Sequence, residues 1–180
     1  MCNFLNISIK NLAALLTLIS FNVYAQMTLP LNENGKYEFT LIKNIDSLNK
    51  IQIMSKTIIW VSETFKGSPI LIKDEQSGII KLDPNVNIPA YIDNRDRFGV
   101  ITLSITIHIK DNKIKIVANN FEHIDNFRTG NYKCSCGELE KEKTWCLWRG
   151  KWDSLKRYAQ KDIESLAENL IKKIETKETW

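Results

Sequence analysis

The residues best suited to chemistry lie together in the last third of the chain. Cys134-Ser135-Cys136 and Cys146 are three of its four cysteines. Three cysteines allow one disulfide, and two cysteines separated by a single residue bridge each other poorly. The spacing therefore favours a disulfide between Cys146 and either Cys134 or Cys136. So short a loop would stabilise the fold by at most ~3 kcal/mol.

A metal site is the alternative interpretation of the same residues. Cys134, Cys136 and Cys146 with His123 would supply the three thiolates and one imidazole of a structural zinc site. The usual two-residue gap between paired ligands is missing, and the lack of Cys-x-x-Cys also argues against a redox enzyme. The disulfide is preferred, no cofactor is predicted, and unbridged or intermolecular thiols stay open as a third possibility.

Tryptophans and cations are interleaved directly after these cysteines. Trp145, Trp148 and Trp152 occur in TWCLWRGKW, with Arg149 between them. Aromatic rings beside cations can stack on sugars or bases. The alternative is that the indoles are buried, closing the edge of a sheet and covering the start of a helix. If exposed, Trp145, Trp148, Arg149 and Trp152 form the best candidate surface for a partner, either a glycan or a protein of the cell envelope.

Other patterns of catalysis are missing from the sequence. It contains no Ser-His-Asp spacing, glycine-rich phosphate loop or HExxH motif. Glu138, Glu140 and Glu142 alternate with lysines and are interpreted as a solvated surface. His108 is interpreted as solvated as well. An enzyme is therefore the less favoured class.

The N-terminus resembles a secretory leader. A short apolar run, residues 12–23, follows Lys10, and Val23 and Ala25 occupy the two positions that a signal peptidase recognises. The run is short for a membrane span, which needs roughly 20 apolar residues. We predict a signal peptide over residues 1–25, export to the periplasm or beyond, and no membrane span after cleavage. Disulfides are the default in such a compartment.

The charge and length of the remaining chain limit its class. Without Lys10, 24 basic and 21 acidic side chains remain, a net charge of +3. That balance does not indicate a nucleic-acid or membrane partner. The length suits a single domain, predicted over residues 26–175, with a frayed tail at residues 176–180.

The elements that must position these residues are organised around one predicted hairpin. From Ile101 to Lys110, apolar and polar residues alternate strictly, and Asp111-Asn112 supplies a turn before a second strand. The register follows from the turn: it pairs Ile109 with Ile114, Ile107 with Ile116, Ile105 with Ala118, His108 with Lys115 and Ser104 with Asn119. The hairpin therefore has one apolar and one polar face.

Two helices are predicted to cover the apolar face. The first starts at Asp46-Ser47 and ends at Gly67, with an apolar stripe at Leu48, Ile51, Met54, Ile58, Val61 and Phe65. Ile53 and Trp60 lie off this stripe. Contact with the neighbouring helix is the favoured interpretation of this pair, and a ligand patch is the alternative. The second helix runs from Asp153 to about Ile174. Strands are predicted at residues 37–45, 70–73 and 79–82. Residues 83–98 are predicted to form a long loop, with room for one extended stretch near residues 90–92. The predicted fold class is α+β: a five-stranded antiparallel sheet with two helices on one face.

Three short stretches resemble a known family. LPLNENGK (Leu29–Lys36), the Trp60-x4-Phe65-Lys66 end of the first helix, and DEQSGII (Asp74–Ile80) are similar to exported bacterial domains of unknown function with a fold like the TATA-binding protein (TBP). The resemblance covers about residues 29–125 and the last helix. It implies a curved sheet with both helices on its convex side, and it brings no catalytic residues. DNA binding is not implied, because the nucleic-acid-binding form of this fold is duplicated.

The Cys- and Trp-rich segment, residues 128–152, departs from that family pattern. With no catalytic motif elsewhere, the sequence favours an exported, non-catalytic domain that acts through an interaction surface, either the polar sheet face or the tryptophan segment. The alternative function is a small-molecule binder with a cavity between the sheet and the helices.

Overall fold

A computed structural model describes residues 29–67, 70–82, 86–92, 96–124, 135–147 and 149–176. The predicted leader, Cys134, Trp148 and the last four residues lie outside this part of the chain. The elements are β1 (Glu38–Asn44), α1 (Lys50–Thr64), β2 (Ile70–Asp74), β3 (Ile79–Leu82), β4 (Val86–Ile92), β5 (Asp96–Lys110), β6 (Lys113–Ile124), β7 (Gly137–Glu138) and α2 (Arg149–Glu175).

All the strands join one curved antiparallel sheet in an α+β fold. The order is β1-β6-β5-β3-β2. Two short strands extend this path: β4 pairs with β5 beyond the end of β3, and β7 pairs with β6 beyond the end of β1. The five predicted strands are all present. The prediction of a long loop over residues 83–98 was wrong, because Val86–Ile92 pairs with a β5 that already begins at Asp96. The extended stretch expected near residues 90–92 belongs to this longer strand β4.

The predicted central hairpin is confirmed in its register and in its faces. Ile109 pairs with Ile114, Ile107 with Ile116 and Ile105 with Ala118. These six side chains are at most 2% exposed, whereas His108 and Lys115 on the other face are exposed. Asn112 closes the turn with φ +56°, a left-handed conformation that asparagine tolerates. We call the helix-covered side of the sheet the inner face and the opposite side the outer face.

A β-bulge changes the facing of β6 near its end. One extra residue of β6 lies between the pairs Ser104–Asn119 and Thr102–Glu122, and Asn120 adopts φ +56° there. Before the bulge the even-numbered residues of β6 point inward; after it Phe121 and His123 do. The bulge therefore brings His123 into the core.

Helix α1 begins later than predicted, and its inward face is shifted from the predicted stripe. Asn49, not Asp46 or Ser47, caps it, through a reciprocal capping box with Gln52. The buried residues are Ile53, Met54, Thr57, Trp60 and Val61, whereas Ile51 is 73% exposed. Of the predicted stripe, Met54 and Val61 are buried, and Leu48, Ile58 and Phe65 are partly buried against the core. The prediction was wrong at Ile51, because the inward face is centred closer to Ile53 and Trp60.

The two helices pack on each other and on the sheet. The indole Nε1 of Trp60 donates to Asn169 Oδ1 on α2 at 2.8 Å, which confirms the predicted helix–helix contact. The predicted inward face of α2 is confirmed, with Leu155, Ile163 and Leu170 buried. This helix begins four residues earlier than predicted, so Arg149 and Trp152 belong to its first turn. Over the described residues, neither helix is long and apolar enough to cross a bilayer.

Candidate functional site

The Cys- and Trp-rich segment is built into the sheet and the core. Its strand β7 pairs with β6, Glu138 opposite Glu122 and Gly137 opposite His123. Leu139 is fully buried, and its N–H donates to the carbonyl oxygen of Phe121 at 3.0 Å. The described part of the segment therefore stabilises the domain as a continuation of the sheet.

His123 is fully buried at the junction between the segment and the sheet. Its Nδ1 accepts from the N–H of Cys136 at 3.1 Å, and its Nε2 lies 2.6 Å from the carbonyl oxygen of Phe98, so it must donate there. The ring also stacks on Phe98, with centroids 5.1 Å apart. The neutral imidazole protonated at Nε2 satisfies both contacts.

This arrangement does not fit the alternative zinc site. A ligating histidine needs a lone pair directed at the metal, and both ring nitrogens of His123 are already used by backbone groups. Within the described residues, no group of three or more His, Cys, Asp or Glu side chains could hold a metal ion. His123 itself lies inside β6, one residue before the end of the strand.

The predicted cysteines fall in different surroundings. Cys136 is 4% exposed and is present as a buried thiol next to β7. Cys146 is half-buried, and its N–H donates to Thr144 Oγ1 at 3.2 Å. Cys134 lies outside the described residues, so its pairing with Cys146 stays a prediction.

The two described tryptophans of the segment lie in opposite environments. Trp152 is fully buried, and its indole N–H donates to the carbonyl oxygen of Lys141 at 2.8 Å, as the plugging interpretation requires. Trp145 is 83% exposed. The exposed Arg149 contacts Glu142 only loosely, at 3.7 Å. The structure thus places Trp145 and Arg149 on the surface and Trp152 in the core, while Trp148 lies outside the described residues.

Carboxylates of the segment also hold the start of β1, a role that sequence reasoning missed. Glu140 accepts the N–H of Tyr37 at 2.8 Å, and Glu138 pairs with Lys36 at 2.8 Å. The hydrogen bond from Lys36 lowers the pKa of Glu138 below its ordinary value. Lys156 donates to the carbonyl oxygen of Lys141, and burial lowers the pKa of its ammonium. These charges therefore support the fold.

The outer face presents a different arrangement, near the tip of the central hairpin. A concavity of about 320 Å³ is lined by Ile42, His108, Lys110, Lys113 and Lys115. We call these five residues the hairpin basic patch. They come from β1, β5 and β6, whose pairing places Ile42 beside Lys115 and Lys115 opposite His108.

The cations of this patch lack protein counter-charges. Within the described part of the chain, Lys110, Lys113 and Lys115 take part in no ion pair. Asp111 in the adjoining turn is engaged elsewhere, because its carboxylate accepts the N–H of Lys50 at the start of α1. Lys110 stands directly opposite Lys113. Like charges in that position repel and cost stability.

Two further hollows lie on the helical side. One, of about 390 Å³, lies where both helices meet β4 and includes Trp60, Tyr91 and Asn169. The other, of about 820 Å³, runs between α1 and the end of α2, past Ile51, Ile59 and Ile174. Between helices and sheet the facing side chains are fully buried, including Ile53, Ile105 and Ile163.

Comparison with known proteins finds a similar family over part of the chain. Residues 39–123 match the family model described as a domain of unknown function (DUF4468) with TBP-like fold. No curated protein matches the chain.

Two solved structures share the fold. A TBP-like protein from Parabacteroides distasonis superposes with a TM-score of 0.66 at 15% identity, over 83% of this chain and 98% of that one. A DUF4468 family protein from Bacteroides ovatus gives a TM-score of 0.56 at 18% identity, over 79% and 90% of the two chains. The fold is therefore TBP-like, and over residues 39–123 the chain is similar to the DUF4468 family, which confirms the resemblance that the sequence indicated.

Proposed function

We propose that this protein is an exported, non-catalytic binding module that contacts a partner through the outer face of its sheet. The observation that carries the proposal is the hairpin basic patch: a concave surface with three lysines that no described carboxylate neutralises. An isolated exposed cation costs little folding stability because water solvates it. A cluster of exposed cations attracts an oppositely charged partner.

The non-catalytic part of the proposal rests on how the chemically capable groups are used. Both ring nitrogens of His123 form hydrogen bonds with backbone groups, and Glu140 accepts the N–H of Tyr37 just before β1. A general acid or base must be able to reach a substrate proton. Both groups serve the fold in their present positions.

Export is proposed from the sequence of residues 1–25, with the periplasm or the exterior as the destination. An oxidising compartment suits a disulfide between Cys134 and Cys146. In support, Cys136 is a buried thiol, which leaves Cys134 as the candidate partner of Cys146.

The alternative, a small-molecule binder, has less support. The predicted place for its ligand is between the sheet and the helices, where the side chains already fill the space. The 390 Å³ hollow beside Trp60 lies at the margin of that interface.

A site-specific photo-crosslinker tests which surface meets the partner. p-Benzoylphenylalanine would replace one exposed apolar residue at a time: Ile42 in the basic patch, Trp145 in the tryptophan segment, or Ile51 on α1 as the control. The exported protein is irradiated in an envelope extract of the bacterium that produces it. We expect a discrete adduct from Ile42 that an excess of unmodified protein suppresses.

The control position decides whether such an adduct is meaningful. Ile51 is 73% exposed, more than Ile42 at 54%, and it lies on the helical side of the molecule. An adduct equally strong from Ile51 would indicate non-specific capture and contradict the proposal. A competed adduct from Trp145 alone would move the contact surface to the tryptophan segment, and no competed adduct at Ile42 would refute the outer-face assignment.

A further inference from the structure

We propose that the hairpin basic patch recognises an acidic, extended protein segment in which carboxylates alternate with aliphatic side chains. This inference rests on the proposed function, and it names the chemistry of the partner. Three properties of the outer face support it: its uncompensated charge, its cross-strand repulsion, and the aliphatic side chains that continue from the patch.

The first property is the lack of a counter-charge. Lys110, Lys113 and Lys115 line one concavity, and no acidic side chain of the described residues lines it. The nearest carboxylate in sequence, Asp111, is held by the first turn of α1. A carboxylate from outside would therefore meet several cations at once, without displacing an internal partner.

The second property is the repulsion between facing strands. Lys110 and Lys113 are paired across the hairpin, a position in which opposite charges stabilise a sheet and like charges destabilise it. The free protein tolerates this cost, and an acidic ligand would relieve it. The arrangement is therefore better suited to a bound state than to the free one.

The third property is a set of aliphatic side chains on the outer face. Ile42 is 54% exposed at the patch, and Ile72 on β2 is 46% exposed. Val117 and Ile79 lie on the same face between them, separated from each other by Thr106 and His108 of β5. An inorganic anion would leave these side chains in water, whereas an extended segment places every second side chain on them.

The same face favours a peptide over a nucleic acid. Apart from His108, the described outward residues of β1, β2, β3, β5 and β6 are aliphatic, hydroxyl, amide or charged, so these five strands offer no Phe, Tyr or Trp on which a base could stack. The half-buried Tyr91 of β4 lies away from the patch, in the hollow beside Trp60. Acidic residues, Glu38 and Asp74, mark the two ends of the face. Three clustered lysines can neutralise few phosphates.

Synthetic probes test this chemistry by fluorescence anisotropy at low salt. The probe is a 12-residue labelled peptide that alternates glutamate and leucine; the comparison probes are the same peptide with lysine for glutamate, and a 12-nucleotide oligothymidylate. The proteins are the exported wild type, Lys113→Glu, and the matched control Lys161→Glu, an exposed lysine on α2. We expect Lys113→Glu to weaken binding of the acidic peptide by about tenfold or more and Lys161→Glu by less than about twofold.

Denaturation of the same variants separates binding from folding. Lys113→Glu places opposite charges across the hairpin, so its unfolding midpoint should equal or exceed that of the wild type while its binding falls. The inference is overturned if the acidic peptide does not bind, if Lys113→Glu leaves binding unchanged, or if oligothymidylate binds as tightly and is lost in the same variant.

The two proposals fail separately. If the Ile42 crosslink captures a competed partner but the acidic peptide does not bind, the outer face remains the contact surface and the acidic chemistry is wrong. If the Ile42 position captures nothing that is competed, the proposed function itself is wrong, whatever the peptide does.

Discussion

His123 uses both of its ring nitrogens inside the protein and neither for chemistry. It receives the N–H of Cys136 on one side and donates to the carbonyl oxygen of Phe98 on the other. Buried backbone groups are costly when they lack a partner. This one ring therefore joins three parts of the chain, and its value lies in stability.

We expect His123→Ala to lower the free energy of unfolding by about 3 kcal/mol, because two buried backbone groups would lose their partner. The matched control is His108→Ala, on the exposed outer face, which should change the free energy by less than ~0.5 kcal/mol. Urea titration followed by tryptophan fluorescence measures both. Equal effects from the two substitutions would contradict the structural role of His123.

The sequence could not distinguish the roles of individual residues in the Cys- and Trp-rich segment. Trp145 and Trp152 belong to one short motif, yet one is 83% exposed and the other is fully buried. Their environment depends on where α2 begins and on the carbonyl of Lys141, which are tertiary features. The internal position of His123 likewise depends on a bulge whose only sequence signal is the pair Asn119-Asn120.

In helix α1, the spacing of apolar residues does not decide which face of the helix points to the core. Apolar residues occupy Ile51, Ile53, Met54, Ile58, Ile59, Trp60 and Val61, so stripes through Ile51 and through Ile53 are both possible. The structure chooses the second, with Trp60 facing Asn169 of α2. The position of α2 decides which stripe of α1 is buried, and the spacing of residues within α1 carries no information about that position.

Two substitutions on this helix test the assignment. Ile53→Ala should lower the free energy of unfolding by 2–5 kcal/mol, the usual range for truncating a buried isoleucine, whereas the exposed Ile51→Ala should change it by less than ~0.5 kcal/mol. Chemical denaturation of both variants provides the measurement. A larger loss from Ile51→Ala would restore the face that the sequence alone indicated.

A strand could be predicted from the sequence where apolar and polar residues alternate clearly along it. Five consecutive alternations in β5 determine both its facing and, with a two-residue turn, the register of β6. Strand β4 escaped prediction because it contains Pro89 and lies between Pro84 and a charged cluster, which are typical of loops. Proline is accepted in strands at a sheet edge, where its missing N–H is not required.

At the scale of the whole molecule, the Cys- and Trp-rich segment closes the domain. It pairs with β6, receives the start of β1 through Glu138 and Glu140, and leads directly into α2. Together with the proposed export, this gives the cysteine pairing a place in an already ordered region. The disulfide would then contribute modestly, since most of its loop is held by other contacts.

Thiol counting tests that pairing. If the proposed leader is removed, Cys2 is lost with it and the chain keeps three cysteines. One bridge between Cys134 and Cys146 should leave a single thiol per chain when the protein is unfolded without reductant and titrated with Ellman's reagent. Prior reduction should raise the count to three, which serves as the control. Three thiols before reduction would contradict the disulfide.

The bulge at Asn120 has a consequence for how related sequences should be aligned. Removing that residue would restore a regular ladder in which Phe121 lies opposite Leu103, so Phe121 and His123 would still point inward. A homologue with a one-position gap here should therefore keep an apolar residue where this chain has Phe121. A homologue that has the residue but forms no bulge should instead show polar residues at the positions of Phe121 and His123, because an uninterrupted alternation would turn both outward.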